Sequence, residues 1–311
     1  MSTKEWVRFG ILGIIWGTSF LWIKIAVSEV SPVVLVAFRT LFGALSLLVI
    51  FRITGTTRLV WKDLRPWLGI FFMVGLLNVA LPFVLISWSE QYISSGMASI
   101  LNSSVPLFTM MLAPLFLKDD QWSLPKLVGL VLGFLGIVII FLPELTHGID
   151  QDLIGMGVML LATLSYAIGG IYTRLQVQGL APQLQAFLQL TIAAAMVWSF
   201  TFIVETPVKL PQLPITWVAL LWLGILGTGV AYILFFGLLH SIGPTRTSTV
   251  TYIPPIIGTL LGMIFLGEQI TWQAVVGGLM VIVGIAVVNL RQIPNLPSIP
   301  DLTKKDIHKR A

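Results

Sequence analysis

The residues best equipped for chemistry in this chain are basic, hydroxylic and aromatic. Arg39 stands inside a long apolar run. A guanidinium there is costly unless it is paired or hydrated. It would suit either a protein carboxyl group, for which Glu90 is the candidate, or the carboxylate of a bound solute, gripped by two parallel hydrogen bonds. Glu90 is also the residue to which any ion coupling would fall. Two polar clusters directly precede prolines: Asn102-Ser103-Ser104 before Pro106, and Thr247-Ser248-Thr249 with Thr251-Tyr252 before Pro254-Pro255. Proline removes a backbone donor and clashes with the carbonyl four residues back. Freed backbone groups at membrane depth are tolerated where they are buried in protein or line a wet cavity. Hydroxyls at such breaks can contact a solute, or can simply join helices at about 1 kcal/mol or less each. Trp16, Ser19, Asn78 and Tyr166 complete the candidate contact set. Trp16 and Tyr166 fall at matching positions of the two halves and lie deeper than the Trp and Tyr of an interfacial belt. Lys24, nearer a helix end, is expected to snorkel to the surface.

What is missing narrows the chemistry further. The chain has no cysteine, which excludes disulfides, thiolate metal sites and cysteine nucleophiles together. His147, His240 and His308 have no partner at metal-ligand spacing, so no metal and no cofactor are expected. There is no GxxxxGK[ST] loop for ATP. Neither paired carboxylates in an apolar run nor a GxSxG occurs, as a hydrolase or lipid transferase would need. A membrane-embedded enzyme acting on lipid-soluble substrates is therefore the alternative, and a non-enzyme is the expectation.

These residues must be positioned by membrane helices. Of 311 residues, 57% are hydrophobic and only 10% charged, with a mean hydropathy of +0.96, whereas soluble domains run near 25% charged. Apolar runs of spanning length fall at 7–27, 33–51, 67–87, 97–117, 124–142, 153–173, 184–204, 216–238, 247–266 and 271–290. About 20 residues cross a bilayer. The first run is too long for a signal-peptide core and reads as a retained helix. Of the eighteen Lys and Arg, Lys24 and Arg39 lie in spans and Lys209 lies on the face opposite the N-terminus. All the others fall on the N-terminal face. The positive-inside rule then puts both termini in the cytoplasm. The sequence pI near 9.6 is a topology signal, and nucleic acid is not an expected partner.

The chain also repeats itself. One constant offset pairs Lys24 with Arg174, Pro32 with Pro182 and Trp22 with Tyr172. A second pairs Pro106 with Pro254, Asp120 with Glu268, Gln121 with Gln269, Gly129 with Gly277 and Gly136 with Gly284. Five helices per repeat return the chain on the far side, so the second repeat inserts upside down. The expected fold is all-α: ten transmembrane helices as two inverted five-helix repeats, at 1–145 and 150–291, with a disordered cytoplasmic tail at 292–311. Inverted repeats with interrupted helices are a mark of secondary transporters, with the binding site near the midplane.

On these residues the sequence resembles the drug/metabolite transporter superfamily, specifically the EamA family. The resemblance is carried by Trp16-Gly17-Thr18-Ser19-Phe20 with Lys24, by Pro32 followed by Arg39, by Pro106 and Leu117-Lys118-Asp119-Asp120, and by Phe265-Leu266-Gly267-Glu268 before a Gly-rich last helix. It covers both halves. It implies a ten-helix bundle around a central cavity, and export or exchange of amino acids or other small polar or amphipathic metabolites across the cytoplasmic membrane. The partners implied are a small-molecule substrate and the lipid bilayer; oligomeric state is not legible. The sequence departs from a doubled pattern at Asp119-Asp120, matched by Gly267-Glu268, and at Arg39, matched by Gln189.

Overall fold

A computed structural model describes residues 1–54, 65–118, 120–147, 150–243 and 247–290. Among them there is no strand. The helices are α1 Thr3–Val27, α2 Pro32–Thr54, α3 Arg65–Ser89, α4 Ser95–Phe116 and α5 Leu124–His147. The second half supplies α6 Gln151–Gln176, α7 Pro182–Val204, α8 Pro214–Leu239, α9 Thr249–Leu266 and α10 Trp272–Leu290. Among the described residues, α1 to α9 are long and apolar enough to cross a membrane, and Trp272–Val288 of α10 is apolar but shorter. The segment 292–311, expected to be a disordered tail, lies outside the described residues, as do the loop positions Arg58, Lys62, Asp119 and Arg246.

Local sequence sets the helix ends. Ser2 and Glu5 form a reciprocal capping box at α1, which satisfies two otherwise orphaned donors. Ser94 caps α4 through the amide of Met97, and Asp150 caps α6 through that of Leu153. Pro32 and Pro182 open α2 and α7, where proline's missing N–H costs nothing.

The helix pairing obeys a two-fold relation. Gly129 of α5 faces Gly284 of α10, and Gly136 faces Gly277. The chain climbs α5 while it descends α10, so the pair is antiparallel. Each glycine also touches the counterpart of the other, as an axis between the two helices requires. A Cβ at Gly136 would stand 2.5 Å from the Gly277 carbonyl oxygen, and one at Gly284 2.5 Å from that of Gly129. Only glycine permits this approach, which small residues commonly serve between membrane helices. Helices α2 and α7 cross antiparallel as well, with Phe38 on Trp198 and Phe51 on Phe187 at ring centroid distances of 5.2 and 5.7 Å. Contacts off the axis come in pairs. Gly43 of α2 packs on Thr228 and Gly224 of α8, while Gly75 of α3 packs on Gln189 and Ala193 of α7. Gly13 of α1 packs on Ile253 of α9, and its counterpart Thr163 of α6 accepts a hydrogen bond from Ser104 of α4 at 3.1 Å. These pairings give the inverted-repeat fold expected from the sequence.

Helices α1, α3, α5, α7 and α9 end, and α2, α4, α6, α8 and α10 begin, at the face opposite the N-terminus, called distal here. Three tertiary caps gather there. Lys24 donates to the Glu90 and Ile93 carbonyls at 2.6 and 2.8 Å, so it completes the C-terminus of α3 instead of snorkelling. A cation at a helix C-terminus meets both orphaned carbonyls and the dipole. Glu268 accepts from the Ser95 amide at 2.7 Å, the Ser95 hydroxyl at 3.0 Å and the Gly96 amide at 3.0 Å, which caps α4 from the other repeat. Glu29 accepts from the amide of Leu213 at 3.0 Å, from that of Gln212 and from the Thr216 hydroxyl, and caps α8. The Thr216 hydroxyl foremost, with those two amides, holds the Glu29 carboxyl below its ordinary range.

Candidate functional site

Both predicted breaks are present and fall at matching places. Helix α4 runs as Ser95–Asn102 and then Val105–Phe116, interrupted at Ser103-Ser104. Helix α9 opens as a tight turn, Thr249–Tyr252, and widens into a regular helix from Ile253. Pro106, Pro254 and Pro255 sit just past the interruptions, in the first turn where no donor is lost. Less visible from sequence is a second matched irregularity. Helix α3 loosens to π geometry at Leu76–Ala80, and α8 does so at Trp222–Val230. Such stretches concentrate at functional sites. Ser165 donates to the Leu77 carbonyl at 2.9 Å, and Thr228 to that of Leu223 at 2.8 Å.

Arg39 is drawn to the second of these stretches. It is 6% exposed, its Nε donates to the Thr228 hydroxyl at 3.1 Å, and its guanidinium carbon lies 3.8 Å from the centre of the Phe83 ring. That stacking offsets part of the cost of burying a cation. Tyr166, Tyr232 and Glu90 lie within electrostatic reach. Tyr166 in turn packs edge-on against Phe83, with 6.5 Å between centroids. Of the two partners the sequence left open for Arg39, Glu90 is not met: neither carboxyl oxygen of Glu90 has a hydrogen-bond partner. Thr228 and the aromatic face met the guanidinium instead.

The other predicted contacts divide into three groups. Ser19, Ser103 and Ser104 are buried and bonded, to the Ile15 carbonyl at 3.0 Å, to the Ile100 carbonyl at 2.5 Å and to Thr163. Asn78, in the loosened turn of α3, donates to Thr173 at 3.0 Å, and its oxygen fills the space left by Gly169. Asn102 is partly exposed, yet its amide oxygen is buried without a partner. Trp16 packs on Phe235 of α8 at 5.6 Å, away from Tyr166. Ser248 is exposed, and Tyr252 is half-buried against the apolar cluster of Leu107, Leu130, Ile137, Val281 and Ile285. Arg39 and Tyr166 thus share one neighbourhood, while Trp16 and Tyr252 occupy two others. Sequence reasoning missed Thr228 and Phe83. The glycines around Thr228 were the available signal. Among the described residues the carboxylates of Glu144, Asp150 and Asp152 gather within 4.8 Å, with Asp150 committed to its cap.

The two broken helices differ in state. On α4, Ser95, Ser99, Ile100, Leu101, Ser103 and Ser104 are all buried. Of their counterparts at the start of α9, Thr247 is buried, Ser248 is exposed, and Thr249, Thr251 and Tyr252 are half-exposed. The distal segment is sealed by Glu268 and flanked by Lys24, whereas the matching segment at the face of the termini is more exposed.

A duplicated helical bundle with matched interruptions in α4 and α9, and with a buried cation at the loosened stretch of α8, defines a polytopic membrane protein of transporter type. The family model of EamA-like transporters matches twice, at residues 6–142 and 153–290, and the chain belongs to that family, within the drug/metabolite transporters. A Bacillus subtilis (strain 168) protein named as an uncharacterized transporter, YoaV, is 27% identical over 286 residues, which cover 90% of this chain and 95% of that one. An Escherichia coli (strain K12) protein named as an uncharacterized inner membrane transporter, YedA, is 25% identical over 270 residues, 85% of this chain and 84% of that one. A solved crystal structure at 16% identity aligns with a TM-score of 0.65 over 94% of this chain and 100% of that chain, a likeness of fold alone.

Proposed function

We propose that the protein is a secondary transporter that exports or exchanges small polar or amphipathic metabolites, amino acids among them, by alternating access across the cytoplasmic membrane. The observation that carries this reading is the unequal state of the two broken helices. Inverted repeats can exchange conformations, so a sealed distal segment and a more exposed proximal one imply a partner state in which the roles are reversed. Arg39 supports the solute class. Its Nε edge is taken by Thr228 and its face by Phe83, which leaves the terminal nitrogens to grip a carboxylate, with Tyr166 and Tyr232 nearby for an apolar or aromatic portion. Asn78, Asn102, Ser103, Ser104, Ser248, Tyr252, Trp16 and Ser19 are the further proposed contacts along the path. The distribution of Lys and Arg supports cytoplasmic termini, and the name of the inner membrane relative supports the same membrane here.

The test is counterflow in liposomes holding the purified protein, preloaded in turn with amino acids, organic acids and organic cations. Saturable exchange of carboxylate-bearing solutes is expected, and its absence across the whole panel overturns the proposal. Reporter fusions after residues 120 and 311 should report cytoplasm, and those after 148 and 210 the outside. An outside signal at 311 overturns the orientation.

A further inference from the structure

Three glutamates of the distal face, Glu29, Glu90 and Glu268, are built differently. Glu268 and Glu29 each receive two backbone amides and one hydroxyl. Glu90, where α3 ends, receives nothing. It is 0% exposed, and both carboxyl oxygens lack a partner. The nearby Lys24 ammonium makes two of its three possible bonds, to the Glu90 and Ile93 main-chain carbonyls, and none to the Glu90 carboxyl. The charged groups facing the carboxyl are Lys24 from α1, Glu268 from the turn after α9 and Arg39 from α2. Glu268 is committed to the start of α4, and Arg39 to Thr228 and Phe83. At this corner α6 contributes the Gly155 carbonyl, which accepts from Ser89 at 2.8 Å. An ionised carboxylate can only accept hydrogen bonds. A carboxyl group that is 0% exposed and meets no protein donor is therefore held as the neutral acid.

We propose that Glu90 is a proton-binding site, filled from the distal solution each time the distal end of the bundle closes. The inference rests on the two-state reading above. Opening the distal end parts α4 from α9 and hydrates Glu90, which then ionises as a surface glutamate does. On closure the carboxylate takes one proton from the distal solution and forms an O–H bond; on opening it returns that proton. No other reactant takes part. Because the closed state holds the extra proton, acid on the distal side favours closure. The ratio of open to closed rises with pH, by up to tenfold per unit above the ordinary glutamate value of about 4.3.

The chain has no native cysteine, so a single cysteine reports the gate. Ser99→Cys is nearly isosteric, and Ser99 is buried against Gly258 of α9, where an added Cβ would stand 2.7 Å from that of Ser99. Labelling of the protein in nanodiscs by an impermeant maleimide, normalised at each pH to the exposed Leu210→Cys control, should rise steeply from pH 5 to 8. Glu90→Gln should make the curve flat and low, and Glu90→Asp should keep its slope. A flat curve in the otherwise unaltered protein, or an unchanged slope in Glu90→Gln, overturns the proposal. A flat curve whose level still moves when an amino-acid mixture is added removes the role of Glu90 and leaves the transport reading standing. A cysteine that stays unlabelled at every pH and with every solute removes both.

Discussion

Replacing Arg39 by Gln separates a substrate contact from a packing element. In the folded protein the change removes the bond to Thr228 and the stacking on Phe83. Those contacts are worth about 1.5–3 kcal/mol for a hydrogen bond to a charged group and about 0.5–2 kcal/mol for the cation–π contact. Against that stands relief from holding a cation out of water, an effective penalty of several kcal/mol. Thr228 is not orphaned, since its hydroxyl still donates to the Leu223 carbonyl. The opposing contributions nearly cancel, so the melting temperature should move by no more than about 5 °C, given that 1 kcal/mol shifts a chain of this size by about 2–4 °C. Transport should change far more. Losing a charged grip on a carboxylate raises the half-saturation concentration by roughly 10- to 150-fold, which corresponds to about 1.5–3 kcal/mol. Solutes without a carboxylate should be unaffected. Counterflow kinetics and thermal melts on Arg39→Gln, Glu90→Gln and the double variant test both halves of the argument. Because Glu90 lies out of contact, the stability effects should add within about 0.5 kcal/mol. Unaltered affinity in a destabilised Arg39→Gln, rescued by the second change, would refute the reasoning.

Single cysteines at the broken helices should label unequally: Ser248→Cys and Tyr252→Cys fast, Ser104→Cys slowly, read as maleimide rates in membranes; equal rates would contradict the sealed distal segment. Gly136→Leu drives a side chain into the Gly277 carbonyl, and since overpacking costs about 1–3 kcal/mol or more, the melting temperature should drop by several degrees in a thermal scan, while Gly157→Leu, with open space around it, should not. Glu29→Gln should lower thermal stability at neutral pH, because a carboxyl held below its ordinary range stabilises the fold above about pH 4.3 and loses that contribution as pH falls through its folded value; melts from pH 3 to 7 should show the two proteins converging in acid.

The helix count, the repeat and the broken helices were legible because each leaves a mark in residue type. A bilayer demands long apolar runs, duplication leaves Pro32 over Pro182, and Pro106 and Pro254 cannot sit mid-helix unnoticed. Which polar group meets which was not legible. Lys24 read as a snorkelling residue because its acceptors, the carbonyls of Glu90 and Ile93, are main-chain atoms on another helix. For Arg39 the sequence left Glu90 and a solute carboxylate open as partners, yet in the fold a hydroxyl and an aromatic face meet it. The loosened turns of α3 and α8 left no signature beyond Asn78 and a cluster of glycines, since π geometry depends on neighbours such as Ser165.

The glycine seam of α5 and α10 lies on the axis that relates the two halves, so it maps onto itself when the halves trade conformations. A strain introduced there burdens inward-open and outward-open forms alike and leaves their ratio untouched. The caps made by Lys24 and Glu268 lie off that axis. Substitutions at those two residues should therefore change how long the protein dwells in one form. Mutations at the seam set whether the machine holds together, and mutations at the caps set where it rests.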